Sequence, residues 1–176
     1  MIYLIGVNHQ LQDGTDRFGS QELLLYVRNF IDKNAITLLA EEWSSDIAKK
    51  RGESILRACE DKTKYFQFDL LQSEADKLGV KRNEEIWREL GATEISPGIF
   101  SSCDMEKFLQ RRREESRKRE PEWLKRLSPH LKKGDSVIVC GSDHLSDKNP
   151  DGLTGFDVLL NQQGYQAKIL KHFDIN

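Results

Sequence analysis

The chain has 176 residues, a length suited to one domain around a single core, with 38% hydrophobic and 32% charged residues as in a soluble globular protein. A formal net charge of -2 exerts no global pull toward nucleic acid or an anionic membrane, and no run approaches the roughly 18 apolar residues of a membrane span. Three scattered cysteines (Cys59, Cys103 and Cys140), with no Cys-x-x-Cys, argue against a disulfide framework or a zinc knuckle and fit a reducing cytoplasm.

The first apolar run, Ile2–Ile5, predicts a buried strand, and its position leaves no room for a signal peptide ahead of it. Residues 10–19 carry Asp13–Gly14 and Gly19 and are expected to form a loop. A helix follows from Ser20, the expected N-cap, to Lys33, with Leu23, Leu24, Val27, Phe30 and Ile31 on one face. Residues 35–40 predict a second buried strand ending in Glu41–Glu42–Trp43. Residues 45–59 read as a charged helix and Tyr65–Phe68 as a third strand closed by Asp69.

Residues 72–91 read as helical, split into two short helices at Gly79, and 91–100 as a loop around Ser96–Pro97–Gly98. Residues 104–119 predict a highly charged helix. Pro121 suits the first turn of another, with Trp123, Leu124, Leu127 and Leu131 on one face. Ser136–Cys140 is the clearest strand. Residues 142–153 predict a loop, Phe156–Gln163 a helix stopped by Gly164, and Tyr165–Leu170 a last strand, antiparallel or at an edge. Strands alternating with helices imply an α/β fold: a single layered domain, residues 1–176, with a mostly parallel central sheet flanked by helices and an active site at the strand C-terminal ends.

Two segments repeat one pattern. Ile2–Tyr3–Leu4–Ile5 runs into Gly6–Val7–Asn8–His9, and Val137–Ile138–Val139–Cys140 runs into Gly141–Ser142–Asp143–His144. Each is an apolar strand followed by Gly-x-x-His. Neighbouring parallel strands would bring both imidazoles to one crevice, with Glu41 and Glu42 supplied from the strand between. Two His and a carboxylate form a common shell for a divalent metal (Mn, Co, Zn or Fe) with positions open for water and substrate. His9, His144 and Glu41 are the expected ligands and Glu42 the base, although either glutamate could fill either role. Asp143 and Asn8 would orient ligands or substrate.

The Ile-Tyr-Leu-Ile-Gly-x-x-His start, the strand ending in Ala40–Glu41–Glu42, and Val-Cys-Gly-Ser-Asp-His-Leu followed by Gly152–Leu153, Leu159–Leu160 and Gly164–Tyr165 resemble the TraB/TIKI family of the erythromycin esterase-like/ChaN-like superfamily. The resemblance covers the first 43 residues and residues 117–170. It implies an α/β fold with a divalent metal between the two Gly-x-x-His segments and a glutamate. It also implies an arginine before the penultimate strand, best matched by Arg119 of Arg119–Glu120–x–x–Trp123, with Arg111–Arg113 competing. Asp69 is carried over from the middle third. Members include metal-dependent proteases, esterase-like enzymes and a haem-binding protein.

The remaining features read more simply. Residues 106–120 hold seven basic and four acidic side chains, with no aromatic among the basic residues from Arg111 on, the composition of a solvated helix laced with pairs such as Arg111–Glu115 and Glu114–Lys118. Trp43 either walls the site or joins the core. Cys140 is expected as a small buried hydrophobe, and His130 and His172 as surface residues. The expected function is a cytoplasmic metal-dependent hydrolase acting on a peptide or an ester, in a small-molecule or peptide substrate, with no membrane or nucleic-acid partner. The alternatives are a non-catalytic binder of metal, haem or a small ligand, and a nucleic-acid-binding protein using the basic helix. The short middle section leaves room for a partner chain, or a second copy of this one, to cover the site.

Overall fold

The computed structural model describes residues 1–12, 14–43, 55–59, 63–131, 133–149 and 154–174. β1 (Ile2–Val7) lies between β6 (Asp135–Gly141) and β7 (Ala167–Phe173). On the far side of β6 come β2 (Ile36–Glu41) and the edge strand β3 (Lys64–Gln67). The order is β3-β2-β6-β1-β7, and every pairing in this five-stranded sheet is parallel. Parallel strands covered on both faces need apolar side chains in both directions, which accounts for the continuous apolar runs of β1 and β6.

Alternation along the strands divides the core. One face carries Leu4, Ala40, Ile138 and Cys140, packed under α6 (Glu120–Leu131) and α7 (Phe156–Gln162). The other carries Ile5, Leu39, Val137 and Val139, packed under α2 (Arg17–Lys33). On the first face the indole of Trp123 is fully buried and meets Phe68 and Phe156 edge-on, with ring centres 5.2 and 5.6 Å away. Its truncation to alanine should cost about 3–5 kcal/mol.

Several elements depart from the pattern expected of the sequence. His9–Gln12 forms a helical turn, α1, rather than loop, with Asn8 Oδ1 accepting from the Gln10 N–H at 3.0 Å. α2 begins three residues before Ser20 because Asp16 is the cap, its carboxylate accepting from the Phe18 and Gly19 N–H groups. Ser20 instead donates to the Leu11 carbonyl. The expected helix over 45–59 lies outside the described residues except for one 3-10 turn, Ile55–Ala58.

Residues 72–91 do form two helices, α3 (Gln72–Lys77) and α4 (Asn83–Glu89), separated at Gly79, whose φ of 68° favours glycine. The loop expected over 91–100 contains a small antiparallel hairpin, β4 (Glu94–Ser96) and β5 (Ile99–Phe100), turned at Gly98. α5 (Met105–Arg117) is capped by Asp104. β7 is an edge strand, and it runs parallel to β1. Among the described residues no helix is long and apolar enough to cross a membrane.

Candidate metal and acid–base centre at the strand ends

Because β2 and β1 both flank β6, the segments carrying Glu41–Glu42, His9 and His144 leave the sheet side by side. Successive residues of a strand point to opposite faces, and this separates the glutamate pair. Glu41 falls on the α2 face. Its Oε2 accepts from the Tyr65 hydroxyl, and its Oε1 accepts from Gln12 Nε2 at 3.2 Å. Glu41, expected as a metal ligand, is linked to His9 through Gln12, whose Oε1 lies 2.6 Å from His9 Nδ1. Since the Gln12 amide donates to Glu41, its oxygen accepts from His9. Nδ1 thus carries a proton, and Nε2 is the nitrogen that faces Glu42.

Glu42 falls on the opposite face, among the histidines. Its Oε2 accepts from the Gly141 N–H at 2.6 Å. Its Oε1 lies 3.5 Å from His144 Nε2 and 3.7 Å from His9 Nε2. The second motif's glycine lies close under the site: a Cβ at position 141 would stand 3.1 Å from His9 Nε2 and 3.5 Å from Glu42 Oε2, and His9 would have to shift slightly to admit it.

His144 is buried in the 3-10 turn Ser142–His144 that follows β6. Its Nδ1 lies 3.0 Å from Glu120 Oε1, and its ring packs 4.4 Å from that of Trp123. Glu120 and Trp123 occupy the first turn of α6, three residues apart and hence on one face. The charged run hid Glu120; its position beside Arg119, three residues before a core tryptophan, was the available signal.

Burial alone would push the Glu42 carboxyl up. The charges of His144 and His9, with hydrogen bonds from His144 and the Gly141 N–H, instead hold it at about 2. Burial alone would push His144 down, and the Glu42 charge, reinforced by the bond to Glu120, raises it to about 9. The ring therefore stands as an imidazolium between two carboxylates.

The other expected residues line one cleft of about 1320 Å³ with Glu42 at its base. Asp69 Oδ1 accepts from Trp123 Nε1 at 3.0 Å, and Arg119 lies 3.5 Å from Asp69 Oδ2. Burial and the nearby Glu42 charge push the Asp69 carboxyl up, against the pull of Arg119. Arg119 Nε is buried without a hydrogen-bond partner. Trp43 is both core and wall, being buried and lining the cleft. Asp143 is exposed at the mouth, and Asn8 is exposed with its side-chain oxygen spent on capping α1. Cys140 is buried inside β6, with its thiol pushed well up by burial and by Glu42. On α5, Arg111 reaches Glu115 at 3.7 Å as expected, whereas Lys118 turns to Glu115 at 2.5 Å rather than to Glu114.

The side chains suit a divalent metal in kind, provided that His144 gives up its Nε2 proton to the ion: both rings aim Nε2 at one carboxylate, and each has its Nδ1 anchored, by a glutamine or by a glutamate. Among the described residues no group of three or more His, Cys, Asp or Glu side chains forms a ready-made metal site. Closing His9 and His144 onto an ion is left to side-chain movement, and the 44%-exposed His9 has the freedom for it. No protein-family model, no curated protein and no solved structure matches the chain.

Proposed function

We propose that the protein is a metal-dependent hydrolase, with His9, Glu42 and His144 holding a divalent Mn, Co, Zn or Fe ion. The observation that carries this reading is the convergence of two Nε2 atoms on Glu42 Oε1. It matches the arrangement expected of the TraB/TIKI resemblance, with Glu42 rather than Glu41 as the carboxylate. The ion would polarise a carbonyl and bring its bound water to hydroxide near neutral pH.

The chain's own groups divide the remaining work. Glu120 and Gln12 fix the tautomers of His144 and His9. Asp69 sits in the cleft with its carboxyl raised, suited to giving a proton to a leaving group. Arg119 lines the cleft and brings a guanidinium charge to a substrate oxygen. Peptide and ester bonds suit these roles, and the cleft has room for a small molecule or a short peptide segment.

Metal content tests the reading. Protein purified without tag or chelator should carry one equivalent of one of these ions, and His9→Ala/His144→Ala should carry none. Hydrolysis of peptide substrates, and any part of ester hydrolysis that chelation removes, should follow the loaded ion. No metal in the wild type, after each ion has been offered, would overturn the reading. Stoichiometric metal without turnover of any substrate would turn it into that of a binding protein.

A further inference from the structure

A second cluster stands beside the Glu42 centre and takes no part in it. His172, near the end of β7, pairs in register with Gly6 of β1. Its ring lies over that glycine: a Cβ at position 6 would come within 2.7 Å of His172 Cε1 and 2.9 Å of Ser142 Oγ. Gly6 thereby leaves the gap through which the ring reaches Ser142, the residue after Gly141. Far from being a surface residue, His172 has a side chain only 15% exposed.

The contacts order themselves by proton count. His172 Nε2 lies 3.0 and 2.9 Å from the two oxygens of Asp147. A carboxylate only accepts, so Nε2 carries the proton. Nδ1 of the neutral ring is then an acceptor, 3.1 Å from Ser142 Oγ. Asp174 Oδ1 is a second acceptor for that hydroxyl, at the longer distance of 3.3 Å, while Lys148 holds the other oxygen, Oδ2, at 2.9 Å. Ser142 lines the same cleft as Glu42.

A hydroxyl on a basic nitrogen, with the opposite nitrogen fixed by a carboxylate, is the arrangement of an activated nucleophile. We infer that Ser142, with His172 as its base and Asp147 orienting that base, is a nucleophile toward carboxylic esters, independent of any metal. His172 Nδ1 takes the hydroxyl proton as Ser142 Oγ bonds to the ester carbonyl carbon. The tetrahedral adduct expels the alkoxide, which leaves as the alcohol with that proton, and an acyl-Ser142 remains. Water then adds to the acyl carbon, passing a proton to His172. The acid departs, and Ser142 recovers its proton.

The inference goes beyond the metal reading and does not rest on it. The test is exposure of chelator-treated protein to a fluorophosphonate, followed by intact-mass and peptide mapping. One phosphonyl adduct on Ser142 is expected, absent in Ser142→Ala and formed about 100-fold more slowly in His172→Gln. Asp147→Asn, an exposed and conservative change, should slow labelling at least tenfold while leaving circular dichroism unchanged. No adduct on the folded wild type, or an adduct formed at the same rate in the folded His172→Gln and Asp147→Asn variants, would overturn the inference. Chelation removes the metal from the experiment, so its failure would leave the metal reading to be decided by metal content alone.

Discussion

His9 and His144 close two adjacent strands with the same Gly-x-x-His spelling, yet they live in opposite surroundings. His144 is buried, packed on Trp123 and held between the carboxylates of Glu120 and Glu42. His9 is 44% exposed and anchored by a neutral amide. The first is a fixed cation and the second a ring with room to move. The shared motif places the two imidazoles; their neighbours decide charge and freedom.

The largest expected effect separates them by stability. His144→Ala leaves Glu42 and Glu120 buried without their shared cation and should cost about 3–5 kcal/mol in urea unfolding. His9→Ala should cost less than about 1 kcal/mol, the range of an exposed pair. Equal losses would break the comparison.

A smaller effect sharpens it through the anchors. Glu120→Gln should weaken metal binding by roughly 10–100-fold, the usual consequence of losing the carboxylate behind a ligand histidine. Gln12→Ala should weaken it by less than about tenfold. Competition with a metal chelator reads both, and the reverse order would assign the rigid role to His9.

The pH profile of chelator-treated protein gives a smaller effect still. The folded state raises His144 from its ordinary 6.5 to about 9, so its contribution is complete below pH 6.5 and is lost as pH rises through 9. Glu42 is lowered from 4.5 to about 2, so its contribution is present above 4.5 and is lost as pH falls toward 2. Stability should therefore peak between pH 4.5 and 6.5 and fall by roughly 2 kcal/mol toward pH 9. His9→Ala should keep this alkaline fall, whereas His144→Ala should lose it. A flat profile in the wild type would mean that His144 is neutral.

The sheet and both histidine motifs were legible in the sequence because a strand buried on two faces must be continuously apolar and must end abruptly. The glutamate pair was half legible. Strand alternation dictates that Glu41 and Glu42 diverge, but choosing between them requires knowing which face carries His144, and an irregular register between Ile36 and Leu38 breaks simple counting from the start of β2. Glu120 and His172 act through partners far away in the chain, Glu120 on His144 and His172 on Ser142 and Asp147. No local periodicity marks such residues. The β4–β5 hairpin escaped because Ile95 and Ile99 are exposed, so it carries no core pattern to read.

The position of β1 has a consequence for how the protein is made. Its two sheet partners are β6 and β7, so Ile2 must wait for Ser136 and Ala167. An apolar strand synthesised well before both of its partners imposes long loop closures before any reward, the condition for slow folding and for exposure to aggregation. The pocket cannot begin to assemble on the ribosome until β6 has emerged, so His9 stays on an unpaired strand while the chain between β1 and β6 is made, and a nascent chain cut short before residue 136 should have neither the sheet centre nor the cleft.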